Sequence, residues 1–303
     1  MIHSQSKKLV TSVFACSSSC KISILAVPGS RIKQIETTRE LCLSAMNYEP
    51  STMNSNTRRS FIKSASIGTL ATLTLPQIVS AAFAGENIRK IGLSKDDVIL
   101  FQGDSITDWG RNYSATQANS TNALGSGYVL LTAGHLLLKY PSKNLQIYNK
   151  GVSGNKVFQL ADRWDADCLA LKPNVLSIHI GVNDFWHTLT NGYTGTRETY
   201  ITDYHKLLNR TKQALPNLKL VICEPFAVKG VKAVDDKWYP TFDLFRKAAR
   251  DIANEYNAAF VPLQSVFDKA LESAPGSYWN LDGVHPSVAG EALMAEAWMS
   301  VIG

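Results

Sequence analysis

VILFQGDS, which occupies residues 98–105, is the stretch from which the fold of this chain follows. Its four leading apolar residues are typical of a strand that is buried on both faces, as in a parallel sheet. Gly103 permits a tight turn after the strand, because glycine adopts backbone conformations that other residues avoid. The turn places Ser105 at the carboxyl end of the predicted strand, where open α/β sheets bind their ligands.

Outward from this stretch, apolar strands alternate with segments whose apolar residues recur at helical spacing. The predicted strands are 98–101, 145–148, 175–180, 219–223 and 259–262, and the predicted helices are 127–140, 157–171, 196–215, 242–256 and 288–301. Apolar strands between helices imply a parallel sheet covered on both faces, so the fold class is α/β. The loops after the strands are expected to meet at one edge of the sheet.

Charge divides the chain into two parts. Residues 1–84 hold nine Lys/Arg and three Asp/Glu, whereas residues 85–303 hold twenty-two of each, so the net charge of +6 belongs to the leader. A domain without net charge gives no electrostatic reason to bind nucleic acid. Residues 85–303 have the length of a single domain with a substantial core.

The leader has the parts of an export signal. A charged segment with Arg58 and Arg59 precedes a moderately apolar stretch, and the leader ends on the small-x-small pattern of residues 82–84. The paired arginines resemble the twin-arginine signal, so residues 53–84 are predicted to be a signal peptide and the protein to be periplasmic or secreted. The stretch is too short for a stable membrane span, and none is expected in the mature form. Residues 1–52 are predicted to be a disordered extension or to precede the true start at Met53.

Cysteine usage indicates neither a zinc site nor a disulfide framework, because no CxxC spacing occurs. Cys16, Cys20 and Cys42 lie in the leader, and Cys168 and Cys223 lie in the domain. A bridge between the latter two is left open. No Walker loop or H-E-x-x-H motif occurs, and no metal or cofactor is predicted.

Residues suited to acyl transfer follow the predicted strands. Ser105 is a candidate nucleophile, and His285 is a candidate general base because a free imidazole titrates at about pH 6.5. Asp282, three residues before His285, would orient the ring and stabilise the imidazolium. His187 is the rival base, since it lies just after the loop that follows the third predicted strand.

Four segments resemble, in order, the four sequence blocks of the SGNH (GDSL) hydrolase family. They are GDSITD at 103–108, NKGVSGN at 149–155, GVND at 181–184 and DGVHP at 282–286. The resemblance covers nearly the whole domain, 85–303, and implies a flavodoxin-like, three-layer α/β/α fold with five parallel strands in the order 2-1-3-4-5. It also implies an ester hydrolase that forms an acyl-enzyme on its serine.

The oxyanion of such a reaction needs hydrogen-bond donors. The predicted donors are the backbone N–H groups of Ser105 and Gly154 and the side-chain amide of Asn183. Glycine allows close approach of the substrate, and an amide donates without titrating. Asp104 and Asp184 are expected to brace their loops by local hydrogen bonds.

Aromatic residues follow two of the blocks and are predicted to line the substrate site: Trp109, Phe185 and Trp186. Together with export, they favour a small-molecule or polysaccharide ester as substrate, with removal of acetyl or another short acyl group from carbohydrate. A lipase, lysophospholipase or thioesterase acting on longer acyl chains is the alternative. Fold alone does not fix function, so a non-catalytic carbohydrate-binding protein on the same scaffold is a further alternative. It is a remote one, because such a protein would tolerate loss of Ser105, His285 or Asn183, and none of them is missing.

Overall fold

The computed structural model describes residues 73–303, so residues 1–52 and most of the predicted signal peptide lie outside it. One sheet of parallel strands forms its centre. The strands are β1 (Val98–Gly103), β2 (Gln146–Asn149), β3 (Val175–His179), β4 (Lys219–Cys223) and β5 (Ala259–Val261). Their spatial order, β2-β1-β3-β4-β5, confirms the predicted topology.

Helices cover both faces of the sheet. In chain order, those of the described residues are α1 (Leu75–Ala82), α2 (Ser105–Asp108), α3 (Thr121–Leu124), α4 (Tyr128–Lys139), α5 (Val157–Asp162), α6 (Trp164–Asp167), α7 (Val182–Thr190), α8 (Arg197–Ala214), α9 (Thr241–Glu255), α10 (Leu263–Ala270), α11 (Gly276–Trp279) and α12 (Val288–Met299). Helices α1, α4, α10 and α12 pack in one layer, and α5, α7, α8 and α9 in the other. From residue 73 onward, no helix combines the length and apolarity needed to cross a bilayer.

The helix predicted over 157–171 is broken into α5, α6 and a 3-10 turn. Arg163 interrupts it with φ −110° and ψ 9°. The guanidinium of Arg163 donates to the carbonyl oxygens of Lys150 and Gly103 at 2.7 and 3.4 Å. These tertiary contacts outweigh the apolar periodicity, which reports only on neighbours along the chain.

Helix α1 packs against α10 and α12, although it belongs to the predicted signal peptide. Ile78, Val79 and Phe83 are part of the buried apolar core. Cleavage after Ala84 would remove these three side chains, and each buried side chain of this kind contributes about 1.5–3 kcal/mol. The cleavage site itself stays a prediction.

Cys168 and Cys223 are both buried and free. Burial raises the pKa of each thiol to about 12. The bridge that the sequence leaves open is therefore not formed, and the other three cysteines lie outside the described residues.

His179 ends β3 in the core, as its place within a predicted strand indicates. Its ring stacks on Phe226 at a centroid distance of 5.8 Å and meets Tyr128 edge-on at 6.4 Å. Burial lowers the pKa of His179 to about 4, so the folded protein holds this imidazole neutral at pH 7.

We expect the contribution of His179 to the stability of the fold to depend on pH. Its pKa is about 4 when folded and about 6.5 when unfolded, so its full contribution to stability is present above pH 6.5 and is lost as the pH falls toward 4. The unfolding free energy of the wild type minus that of His179→Leu should fall by about 2 kcal/mol between pH 7 and pH 5. Urea unfolding at both pH values measures this difference.

The difference between wild type and variant is measured because buried carboxyls raise the unfolding free energy as the pH falls, whereas His179 lowers it. Burial raises the pKa of Glu291 to about 8 and those of Asp104 and Asp184 to about 7. His135→Gln, at an exposed position on α4, is the matched control and should follow the wild type. If His179→Leu also follows the wild type, the assignment to His179 is wrong.

Candidate active site

Ser105 stands at the first turn after β1. The turn is tight: a Cβ on Gly103 would lie 2.4 Å from the carbonyl oxygen of His179. Asp104 then caps α2, because its side chain accepts a hydrogen bond from the N–H of Ile106 at 3.1 Å. The strand end and the capped turn together present the Ser105 hydroxyl at the carboxyl edge of the sheet.

The loop before α12 carries Asp282 and His285. Asp282 Oδ1 accepts hydrogen bonds from the N–H groups of Val284 and His285 at 2.9 and 2.8 Å. Gly283 has φ 99°, and a Cβ there would lie 2.5 Å from the carbonyl oxygen of Val231. Only glycine fits this position without strain, and the turn it allows folds the carboxylate back toward the ring.

Ser105, His285 and Asp282 form one hydrogen-bonded chain. Ser105 Oγ lies 2.9 Å from His285 Nε2, and His285 Nδ1 lies 2.7 Å from Asp282 Oδ2. Partial burial raises the pKa of Asp282, but hydrogen bonds from the backbone and ring of His285 outweigh it and hold that pKa below its ordinary value. An ionised Asp282 favours a proton on Nδ1, which leaves Nε2 free to accept the Ser105 proton.

The loops with the predicted oxyanion donors are joined to one another. Gly154 has φ 80°, which gives its backbone N–H an orientation that other residues adopt only with strain. Asn183 is buried, and its amide donates to the carbonyl oxygen of Asn155 at 3.3 Å, which leaves a second N–H. The N–H of Val152 donates to the carbonyl oxygen of Gly103 at 3.0 Å and joins the second block to the first.

Asp108 ties the Gly154 loop to the Ser105 turn. Its Oδ2 accepts hydrogen bonds from Ser153 Oγ at 2.6 Å, from the Ser153 N–H at 3.2 Å and from the Tyr113 hydroxyl at 2.7 Å. Ser153 directly precedes Gly154. Asp108 is therefore a positioning residue that sets the N–H of Gly154.

Two largely buried arginines hold the same loop at its ends. Arg111 Nε donates to the carbonyl oxygen of Gly151 at 2.7 Å. Arg163 donates to the carbonyl oxygen of Lys150 at 2.7 Å and to Asn155 Oδ1 at 2.9 Å. The loop is thus bound on both sides of Gly154.

Asp104 braces its loop by a local hydrogen bond, as predicted, whereas the hydrogen bond of Asp184 joins two loops that are 27 positions apart. Asp104 binds the N–H of Ile106, and Asp184 accepts a hydrogen bond from the N–H of Val157 at 3.2 Å. Burial raises the pKa of both carboxyls to about 7, and for Asp104 the nearby charge of Asp184 adds to the effect.

Two of the three predicted substrate-lining aromatic residues lie beside the catalytic histidine candidate. The rings of Trp109 and Trp186 are 6.0 and 6.2 Å from that of His285. Phe185 is 3% exposed and packs among core aromatic rings at 5.3–5.6 Å. The prediction for Phe185 is wrong, because α7 turns this side chain away from Asn183 and into the core.

His187, the rival base, lies outside the hydrogen-bonded chain. Its Cε1 is 3.9 Å from where a Cβ on Gly154 would stand, while the ring that meets Ser105 is that of His285. Between residues 73 and 303, no group of three His, Cys, Asp or Glu side chains is arranged to hold a metal ion. That the reaction needs no metal or cofactor stays a prediction.

A serine, a histidine and an aspartate joined in this way at the carboxyl edge of a parallel sheet define a class of ester-hydrolysing α/β/α enzymes. Residues 101–293 match the model of the GDSL-like lipase/acylhydrolase family. The chain belongs to this family and is a carboxylic ester hydrolase.

Relatives and solved structures cover most of the chain. An acetylxylan esterase from Geobacillus stearothermophilus is 36% identical over 216 residues, which are 71% of this chain and 96% of the relative. A structure of Axe2, an acetylxylan esterase from that organism, has a TM-score of 0.63 and 32% identity, and covers 70% of this chain and 97% of its own. A candidate GDSL-like lipase from Parabacteroides merdae has a TM-score of 0.69 and 56% identity, and covers 70% and 98%. Catalytic mutants of Axe2 replace a serine, an aspartate or a histidine by alanine.

Asp108, Arg111 and Arg163 hold the loop around Gly154, and no motif or spacing in the sequence indicates this. Asp108 lies within the first block, but no spacing along the chain indicates that it binds Ser153, forty-five positions away. The arginines lie outside all four blocks. Contacts of this kind arise only when the loops have come together.

We expect Asp108→Ala to impair the reaction more than substrate binding. With 4-nitrophenyl acetate, kcat should fall by about ten- to a hundredfold, because a misplaced donor weakens binding of the developing oxyanion. KM should change little, since the donor acts mainly in the transition state. Initial rates over a range of substrate concentrations measure both constants.

Asp108→Asn keeps an acceptor oxygen for Ser153 and should retain most of the activity. Tyr113→Phe is the matched control, because it removes only the outer of the hydrogen bonds to Asp108. Thermal unfolding of each variant verifies the fold. A well-folded Asp108→Ala with wild-type kcat would contradict the positioning role.

Proposed function

We propose that this hydrolase works through an acyl-enzyme at Ser105. His285 takes the hydroxyl proton as Ser105 Oγ attacks the ester carbonyl, and Asp282 stabilises the imidazolium. The oxyanion accepts hydrogen bonds from the N–H groups of Ser105 and Gly154 and from Asn183. His285 then protonates the leaving alcohol, and water hydrolyses the acyl-enzyme. The hydrogen-bonded chain of 2.9 and 2.7 Å carries this proposal.

The position of His285 also bears on where the alcohol binds. The proton on Nε2 must reach the alcohol oxygen, so the alcohol lies on the His285 side of Ser105. Trp109 and Trp186 flank that side. Their rings offer apolar faces on which the C–H groups of a sugar ring pack.

We infer that the acyl group is acetyl or another short one and that the alcohol is a carbohydrate. The acetylxylan esterase from Geobacillus stearothermophilus, 96% of whose length is similar to this chain, supports this substrate class. The catalytic mutants of Axe2 change a serine, an aspartate or a histidine, which are the residue types of the Ser105–His285–Asp282 hydrogen-bonded group. The aspartate and the histidine of Axe2 are likewise three positions apart.

Acetate release tests the proposal. Acetylated xylan and other acetylated polysaccharides are incubated with the wild type and with Ser105→Ala, and acetate is measured enzymatically. The wild type should release acetate, and Ser105→Ala should retain less than about a thousandth of the rate, because the nucleophile is lost.

A series of 4-nitrophenyl esters separates the proposal from the alternative of a lipase, lysophospholipase or thioesterase. The rate should be highest with acetate or another short acyl group. A maximum at eight carbons or more would reject the short-acyl assignment. Hydrolysis of every ester by Ser105→Ala at the wild-type rate would remove Ser105 from the mechanism.

We also propose that the protein is exported through the twin-arginine route, to the periplasm or beyond. The paired Arg58 and Arg59, the apolar stretch and the residues at 82–84 support this proposal. Export would bring the enzyme to polysaccharides, which lie outside the cytoplasm.

We expect replacement of both Arg58 and Arg59 by lysine to keep the protein in the cytoplasm, because the twin-arginine signal is recognised by its arginines and not by charge alone. Fractionation of cells followed by immunoblotting measures the distribution. Equal export of the variant would reject the route. N-terminal sequencing of the exported form decides whether it begins at Gly85 or before α1.

A further inference from the structure

We propose that a binding subsite for a sugar ring lies beside Gly154, formed by Phe158 and Tyr193 with Lys156 and His187. The inference rests on the proposed function and adds where the carbohydrate next to the acylated sugar is held. We call this group of four side chains the aromatic shelf.

The aromatic shelf is continuous with the proposed oxyanion hole. His187 Cε1 is the nearest atom to an added Cβ on Gly154, at 3.9 Å. The N–H of Tyr193 donates to the carbonyl oxygen of His187 at 3.1 Å, just beyond α7. Since Trp186 precedes His187 and lies beside His285, α7 connects the shelf with the side of the site that binds the alcohol.

The two rings of the shelf have no role in the apolar core. Neither Phe158 nor Tyr193 belongs to the core cluster or packs against it. The rings lie 6.0 Å apart at an interplanar angle of 24°, and Phe158 is 38% exposed. A nearly parallel pair of partly exposed rings next to a reaction centre is typical of a ligand platform.

Gly195 fixes the position of the Tyr193 ring. A Cβ on Gly195 would lie 2.2 Å from Tyr193 Cζ, so the ring rests directly on the glycine backbone. A ring that is held in place before binding loses little entropy when a ligand packs on it.

Polar groups at the shelf suit hydroxyl groups better than an acyl chain. Lys156 Nζ lies 5.0 Å from the centre of the Tyr193 ring and bonds Gln159 Oε1 at 3.2 Å. Lys156 is 8% exposed, and among residues 73–303 no carboxylate oxygen lies within 4 Å of its Nζ, so its ammonium has N–H donors beyond the one that binds Gln159. Burial and the Lys156 charge lower the pKa of His187, whose neutral ring can both donate and accept. An aliphatic chain here would desolvate these groups without replacing their hydrogen bonds.

The test compares two substrates that share an acetyl group. Acetylated xylooligosaccharides reach beyond the reaction centre, whereas 4-nitrophenyl acetate does not. For the double variant Phe158→Ala/Tyr193→Ala, kcat/KM on the oligosaccharide should fall at least about tenfold, mainly through KM, because the platform acts in binding. With 4-nitrophenyl acetate, kcat/KM should change less than twofold, which also shows that the variant is folded.

Two further variants sharpen the result. Gly195→Ala, which displaces the Tyr193 ring, should raise KM for the oligosaccharide only. Leu138→Ala replaces a side chain that is 84% exposed on α4 and is the control. It should leave kcat/KM unchanged on both substrates.

The outcomes separate failure of the subsite from failure of the proposed function. Equal losses on both substrates, or none on the oligosaccharide, overturn the subsite while the function stands. 4-Nitrophenyl octanoate is assayed as a third substrate, and a loss of rate of the double variant on this ester alone overturns the subsite in favour of an acyl-chain site. If the wild type cleaves 4-nitrophenyl acetate but no acetylated carbohydrate, both proposals are wrong.

Discussion

The hydrogen bond between Ser105 and His285 is the contact on which the proposed chemistry depends, and it joins residues 180 positions apart. One partner lies at the end of β1, and the other precedes the last helix, α12. Both can meet only if β1 is an interior strand of the sheet and α12 packs against the face of the sheet. The strand order β2-β1-β3-β4-β5 meets the first condition. Trp298 of α12 meets the second, because its ring lies 5.0 Å from that of Phe101 in β1 and its indole N–H donates to Ser177 Oγ in β3 at 2.9 Å.

Polar contacts beneath the site then fix the geometry of the loops that carry Gly154 and His285. Asp108 and the two arginines fix the loop around Gly154 through its backbone, and Asp282 fixes the loop around His285 in the same way. Asp108 and Arg111 are buried, Arg163 and Asp282 are partly exposed, and each of them binds polar groups of the loop that it holds. Removal of one partner leaves the other unsatisfied, which is why such networks tolerate few arrangements.

Much of this organisation can be predicted from the sequence, because its signals are local. Four apolar residues before Gly103 identify β1, and the three-residue spacing of Asp282 and His285 places both on one loop. The broken helix near Arg163 and the bonds of Asp108 cannot be predicted in this way. They depend on atoms that are distant along the chain, and neither periodicity nor motif spacing contains that information.

The different environments of Phe185 and His187 show how one unrecognised helix alters the interpretation of a site. Treated as a loop, residues 183–187 would offer every side chain to the substrate. As part of α7, Asn183 and His187 are four residues apart and share a face, whereas Phe185 points away from it. The helix therefore places Phe185 in the core and His187 at the surface of the site, beside Gly154. The N–H of Tyr193 donates to the carbonyl oxygen of His187 in the same helix. Helix α7 therefore supports both the side of the site beside Gly154 and the aromatic shelf.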